Sequence, residues 1–466
     1  METVNALMLA VVGHTNTGKT SLMRTLLHDS QFGEVDSRPS TTREVTSIDV
    51  DADGQVLLRL FDTPGLEAGS DLYEHLIHSE SSFRHDGPAQ VRHFLSTMAA
   101  AHQFEQESKV LRQLLKCHAA LYVIDVRDPV LPKYQDELSV LARCGKPILP
   151  ILNFTAQKPN NVNEWKLALT KVNLHAHIEF DAVSPPEGGE AILFNRLSAI
   201  VPGFQSQLEQ LAEYRTQQRA HRLNTGLTQI AELLVDVAAF HEQIKANINE
   251  AQLKPIVEQM QNLVKRRERN CITEMLALYA FRLEHVRLQQ LRQTDGTWKD
   301  DLFELDTLKE FGIKASVGVG SGAAIGAGVD LMVGGMSLGA GTALGAAVGG
   351  IWQGWNHYGK KLLGHFKGER ELIVDDEILK LLTLRQLNLL QQLATRGHGS
   401  QDLLLVTQSS KLREQFLRAL SGRLKLARRH PQWSSLNQRS FVRDAQRQEC
   451  VRDVTELCRG FWSQAN

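Results

Sequence analysis

Apolar and polar positions along the chain change period once. In the first part, short apolar runs alternate with amphipathic stretches: Leu7 to Val12, Gln55 to Phe61, Ala119 to Asp125, Pro147 to Leu152 and His177 to Val183 read as strands. Glu44 to Val50 and Gln55 to Phe61 are separated by Asp51-Ala52-Asp53-Gly54, which is hairpin turn chemistry. The later runs are each followed by a helical pattern. This order predicts an α/β fold, a mostly parallel sheet with helices on both faces and ligands at the carboxyl ends of its strands. From residue 204 the period becomes helical. Leu223, Leu227, Ile230, Leu234, Val237 and Phe240 form one apolar stripe, a similar pattern runs from Leu263 to Leu291, and Leu-rich helices begin near Glu371, opened by Asp375-Asp376 and closed near Gly397. The expected division is an α/β domain at 1–203 and an all-α domain at 204–466.

Within the second part, Ala315 to Gly354 holds 13 of the chain's 34 glycines, many at four-residue spacing, as in Gly318, Gly322 and Gly326 and again in Gly341, Gly345 and Gly349. Small residues on one helical face allow close backbone approach. Asp330 is the one formal charge in the segment, and Trp352, Trp355, Tyr358, Lys360 and Lys361 at its end resemble anchors at a bilayer surface. The pattern predicts a glycine-zipper hairpin of two apolar halves. It meets either a membrane surface, through 315–361, or a close-packed soluble core with Asp330 at the turn.

Composition changes this picture little. The 466 residues, 42% hydrophobic and 23% charged, are ordinary for a globular chain, and a net charge of −1 excludes coating of nucleic acid by bulk charge. Cys117, Cys144, Cys271, Cys450 and Cys458 are scattered and odd in number, which predicts buried thiols rather than a disulfide or zinc framework. With no export signal at the amino terminus, the expectation is a cytoplasmic protein, associated with the inner face of the plasma membrane if the hairpin inserts. Lys411 to Arg429 is basic but poor in aromatic residues for base stacking, which favours lipid head groups or a solvated face over RNA. Lys265-Arg266-Arg267-Glu268-Arg269 reads as a solvated face. His75, His78, His85, His93 and His102 lie in an insert without metal-like spacing to a carboxylate.

The chemistry sits at the strand ends. Gly13-His14-Thr15-Asn16-Thr17-Gly18-Lys19-Thr20 is a complete GxxxxGK[ST] phosphate loop, and Ser21 continues into a helix. Glycines let backbone N–H groups face an anion, Lys19 adds a point charge, and the Thr20 hydroxyl can ligate Mg2+. Phe61-Asp62-Thr63-Pro64-Gly65 ends the third strand: Asp62 can hold Mg2+ through water and the Gly65 N–H can meet a terminal phosphate. Between them lies the polar loop Pro39-Ser40-Thr41-Thr42-Arg43.

Together these motifs resemble the Era/TrmE-type P-loop GTPases, and the whole chain resembles a bacterial Era-like family with a helical carboxy-terminal domain. The resemblance implies that Thr42 is the switch threonine on Mg2+ and the terminal phosphate. It further implies that Lys19, Thr42, Gly65 and Asn16 carry catalysis, with Asn16 placed to coordinate K+ as a substitute for an arginine finger. Leu66 stands where Ras-type enzymes orient water with glutamine, so unaided hydrolysis should be slow. Asn153-Phe154-Thr155-Ala156 keeps only the asparagine of the NKxD guanine motif. Phe154 offers a ring for the base, and Ala182, in Phe180-Asp181-Ala182-Val183, offers an N–H for guanine O6.

The expected function is a GTP-binding switch that hydrolyses GTP slowly with Mg2+, with ATP a competitor at the base pocket. The alternatives are a ribosome or RNA-assembly GTPase and a nucleotide-binding scaffold with little turnover. A protein partner or homodimer is compatible with the chain and is not identified by it.

Overall fold

The computed structural model describes residues 6–27, 44–78, 83, 85–182, 185–186, 188–245, 248–279, 369–394, 410–437 and 441–465, with the backbone of short strands at 293–294, 297–298 and 329–332. The chain divides into two compact units, one from Met1 to Ala220 and one from His221 onward, with Thr395–Gly399 grouped with the first.

The first unit is built on a six-stranded sheet: β1 (Leu7–Val12), β2 (Thr46–Ala52), β3 (Gln55–Asp62), β4 (Ala119–Asp125), β5 (Ile148–Asn153) and β6 (Ile178–Glu179), in the order β2-β3-β1-β4-β5-β6. All neighbours are parallel except β2 and β3. The hairpin between those two turns on Asp53 and Gly54, whose φ values of 52° and 78° supply the paired left-handed conformation of a tight two-residue turn. Every residue of β4 and β5 is buried, as continuous apolar runs covered on both faces must be. On one face lie Leu22 and Leu26 of the helix Lys19–Leu27, with Leu193, Phe194 and Leu197 of Gly189–Ile200. The other face is covered by Leu72, Leu76, Phe94, Leu111, Leu138 and Trp165.

The long insert before β4 folds into the helices Gly69–His78, Gly87–Phe94, Met98–His102 and Glu105–Lys116. Asp86 caps the second by accepting the Ala89 N–H, with Pro88 in its first turn. The His75 ring lies against Phe94 and Phe104, and among the described residues no cluster of His, Cys, Asp or Glu could hold a metal ion.

The second unit is mostly helical, through Glu250–Leu278, Asp376–Ala394, Ser410–Ala427 and Ala445–Ala465 together with the later turns of Gln205–Ala238. The expected stripe is realised: Leu227, Ile230, Leu234, Val237 and Phe240 are buried in its core with Leu382, Leu389, Leu420 and Val454. The expected helical region also carries a small antiparallel sheet in which Glu369–Val374 pairs with both Val329–Met332 and His241–Lys245. Three charges in Glu369-Arg370-Glu371 mask the strand, whose apolar half, Leu372 to Val374, is buried. Asp330 pairs with Ile373 in this sheet instead of lying at a helical turn. The rest of the glycine-rich segment 315–354, and its anchors to 361, lie outside the described residues. Among the described residues no helix is long and apolar enough to cross a membrane.

Two basic stretches are partly neutralised within this unit. Arg267 bonds Asp236 at 2.7 Å, and Glu268 is buried within reach of Arg385 and Gln386, so that cluster is turned half inward. In the later stretch Arg423 pairs with Asp453, Arg428 with Asp376 and Arg418 with Glu414.

Candidate nucleotide site

The register of the sheet brings the two sequence motifs together. Pairing of Val11 with Asp62 sets the end of β3 beside the end of β1, where the chain turns into the loop Gly13–Thr20. Gly13 has φ 145° and a Cβ there would stand 2.5 Å from the Val123 carbonyl, so the loop leaves the sheet at a point that admits only glycine. Asn16 is exposed with φ 63°, a conformation asparagine tolerates. Thr17 is buried, and its hydroxyl donates to the His14 carbonyl at 3.0 Å. Ser21 lies in the first turn of the following helix.

Lys19 folds back over the loop, its Nζ donating to the carbonyls of Gly13 (3.1 Å) and His14 (2.8 Å). Burial pushes its ammonium down to about 8, and Asp62, Glu137 and Glu67 pull it back up. An ammonium held among carbonyls in a buried loop is charge waiting for an anion. The Thr20 hydroxyl donates to Asp62 Oδ2 at 2.8 Å. The other oxygen of that carboxylate, Oδ1, is buried without a hydrogen-bond partner, and burial raises the Asp62 pKa above the usual carboxylate value. A hydroxyl and an orphaned carboxylate oxygen side by side fit a hard, oxygen-ligated cation such as Mg2+.

The segment after Asp62 is tightly placed. A Cβ on Gly65 would overlap the Thr15 hydroxyl and lie 2.9 Å from Thr15 Cα. The Leu66 N–H donates to the Gly13 carbonyl at 3.2 Å, and the Leu66 side chain is fully buried in the core. His14 Nδ1 reaches both the Leu66 carbonyl and Glu137 Oε1 at 2.7 Å, while Nε2 lies 3.0 Å from Lys133 Nζ. The neutral Nδ1–H tautomer satisfies all three contacts. Buried Glu137 also accepts the Tyr122 hydroxyl at 2.8 Å. Thr15 donates to Glu67 Oε1 at 2.8 Å, and buried Glu107 accepts the backbone N–H groups of Glu67 and Ala68. Glu137 and Glu107 escaped the sequence reading because each reaches the site only through tertiary folding, whereas Glu67 lies two residues beyond Gly65 and belongs to no motif of its own.

At the other end, Asn153 ties three segments. Its Nδ2 donates to the Thr17 carbonyl at 2.9 Å, and its Oδ1 accepts the N–H groups of Phe154 and Ala182 at 2.9 and 2.8 Å. The Ala182 N–H is therefore directed at Asn153, and its carbonyl accepts Thr25 Oγ1 at 2.6 Å. Phe154, at φ 60°, lies beside Gly18, and the Arg127 guanidinium stacks 3.9 Å over its ring while paired to Asp125. Thr42 and the rest of Pro39–Arg43 lie outside the described residues.

Residues 166–456 match the profile of the family described as a domain of unknown function (DUF3482). The chain belongs to that family. Residues 8–154 match a second profile, described as 50S ribosome-binding GTPase, and form a P-loop GTPase domain. No curated protein matches the chain. Among solved structures it is similar to a variant of Era from Aquifex aeolicus bound to GDP and AlF4−, at 14% identity, covering 59% of this chain and 89% of that one with a TM-score of 0.30. It is also similar to a bacterial selenocysteine-specific elongation factor, at 15% identity, 43% of this chain and 29% of that one with a TM-score of 0.29. For elongation factor SelB from Methanococcus maripaludis the values are 12%, 44%, 35% and 0.27. The chain spans about a third or less of each elongation factor.

Proposed function

We propose that the first unit is a GTP-hydrolysing switch whose nucleotide state is read by the second. The observation that carries this is the joint placement of Lys19 over its own loop carbonyls and of Thr20 against a half-satisfied Asp62, a cationic and a metal-ready group on one strand edge. Gly13 to Ser21 cradle the phosphates. Thr20 and Asp62, with Thr42 from the preceding loop, would hold Mg2+, which would supply charge neutralisation to the phosphates. The Gly65 N–H would face the terminal phosphate, and Phe154 would line the base end, on a loop that Asn153 braces through Thr17, Phe154 and Ala182.

Turnover is slow, because the side chain at position 66 is turned into the core and offers nothing to an attacking water. Exposed Asn16 is available to hold K+ where charge develops in hydrolysis. The test is GTP and ATP hydrolysis by the full chain with Mg2+, in potassium and in sodium salts. GTP should be consumed in preference, faster in potassium, and Asn16→Ala should erase the salt difference. Absence of GTP turnover in either salt would overturn the reading of the unit as a hydrolase.

A second reading, a ribosome-associated factor, is favoured by one observation, the description of the profile matched by residues 8–154. Association with a membrane surface through 315–361 rests on the sequence pattern alone. Co-sedimentation with 50S subunits and flotation with anionic vesicles separate the two.

A further inference from the structure

Among the described residues of the second unit, the exposed large apolar side chains are Leu426, Phe441 and Val442, at 45%, 43% and 47% exposure. All three lie at the bend between the helices Ser410–Ala427 and Ala445–Ala465. Apolar side chains scattered singly over a surface mean little, whereas a unit that confines them to one place marks that place for contact. The bend is built on buried Trp433. Its Nε1 donates to Asp444 Oδ2 at 3.0 Å, its carbonyl accepts Arg447 Nε at 2.9 Å, and His430 stacks on its indole. The next carbonyl back, that of Gln432, accepts the Val442 N–H at 2.8 Å, which sets the returning chain beside a residue six positions beyond Leu426.

The same stretch is basic. From Lys425 to Arg443 the sequence holds five Lys or Arg residues and no Asp or Glu. The carboxylates that reach it from flanking elements are engaged: Asp376 with Arg428, Asp453 with Arg423, Glu232 with Arg443 and Arg447, and Asp444 with Trp433 and the Arg447 N–H. Lys425 and Arg429 are exposed and stand outside these pairs, and the Arg443 side chain remains 63% exposed. Apolar side chains among cations fit the interface of an anionic bilayer, where aliphatic and aromatic groups enter between the head groups and Lys or Arg meet the phosphates. RNA fits less well. It would use the cations, but Leu426 and Val442 give a base nothing to stack on, and Phe441 is a single ring already faced by the Arg447 guanidinium at 5.4 Å.

We propose that the bend 425–443 is a peripheral contact for an anionic lipid surface, with Leu426, Phe441 and Val442 entering the head-group layer and Lys425, Arg429 and Arg443 meeting its phosphates. This contact needs neither the nucleotide site nor the segment 315–361. The full chain is mixed with vesicles of phosphatidylcholine, alone or with phosphatidylglycerol added, and the bound fraction is read by flotation. A second readout places the bend itself: the native cysteines are buried, so in Phe441→Cys the new thiol can be labelled alone with an environment-sensitive dye.

The wild type should float with the anionic vesicles and not with the neutral ones. Lys425→Gln combined with Arg429→Gln should weaken binding about 25-fold, each basic residue near such a surface being worth about fivefold. Phe441→Ser combined with Val442→Ser should weaken it about tenfold. All four side chains are exposed, so thermal unfolding of both double variants should match the wild type. The dye at position 441 should shift its emission to the blue on anionic vesicles. Absence of flotation overturns the inference, and so does unchanged binding in both double variants. Flotation without a dye shift overturns it as well, by placing the lipid contact elsewhere in the chain. An RNA oligonucleotide that binds the wild type and not Lys425→Gln with Arg429→Gln, where vesicles do not bind, would assign these cations to RNA instead.

Discussion

His14 Nδ1 stands 2.7 Å from Glu137 Oε1 and equally close to the Leu66 carbonyl, so one imidazole ties the phosphate loop, the segment after Gly65 and the helix Pro132–Ala142. Glu137 is 1% exposed and also serves the Tyr122 hydroxyl. Glu137→Ala leaves the buried Tyr122 hydroxyl without its acceptor, while His14 keeps the Leu66 carbonyl, and should cost about 1 to 3 kcal/mol of stability in chemical denaturation. Glu137→Gln, which keeps a carbonyl oxygen, should cost about 1 kcal/mol. Equal midpoints for wild type and Glu137→Ala would show that the network holds nothing.

Leu66 is fully buried among Leu72, Leu76 and Val126, although its backbone borders the phosphate loop. Replacing it by the water-orienting glutamine of other enzymes therefore puts an amide into the core. Leu66→Gln should lose about 2 to 3 kcal/mol of stability and gain no hydrolysis rate. A faster GTP turnover in this variant would mean that the side chain reaches the site.

The Thr20 to Asp62 bond predicts how the two behave toward Mg2+. Thr20→Ala and Asp62→Ala should each weaken GTP binding chiefly in the presence of the metal, leaving metal-free affinity close to wild type. Affinity for GTP in excess chelator is the control. A loss of equal size with and without Mg2+ would assign both residues to folding of the loop rather than to the cation.

All five cysteines are buried and free. Burial pushes Cys144, Cys271 and Cys458 up to about 12 and Cys450 up to about 11, and raises Cys117 as well. The thiolate is the reactive form, so alkylation of the native chain by iodoacetamide at pH 8 should be negligible over a period in which the denatured chain takes up five labels. Rapid labelling of any one in the native chain, seen by mass spectrometry, would contradict its burial.

The parts of the fold that were legible in sequence are those written locally. Gly13 to Thr20 and Asp62 are contiguous motifs, and β4 and β5 are unbroken apolar runs that only a doubly covered strand tolerates. The small sheet around Glu369–Val374 was hidden because half of that strand is charged. Glu137 was hidden for another reason. It meets His14 across 123 residues, so no spacing rule could bring it to the loop.

The central claim, that the loop Gly13–Thr20 holds a nucleoside triphosphate through Lys19, is tested most directly by calorimetric titration of the full chain with GTP and Mg2+, beside Lys19→Ala. The wild type should bind one GTP per chain, and the variant should bind it on the order of 10 to 100-fold more weakly, since the loop's backbone cannot replace a charge-assisted hydrogen bond. Undiminished GTP affinity in Lys19→Ala, or no binding by the wild type, would contradict it.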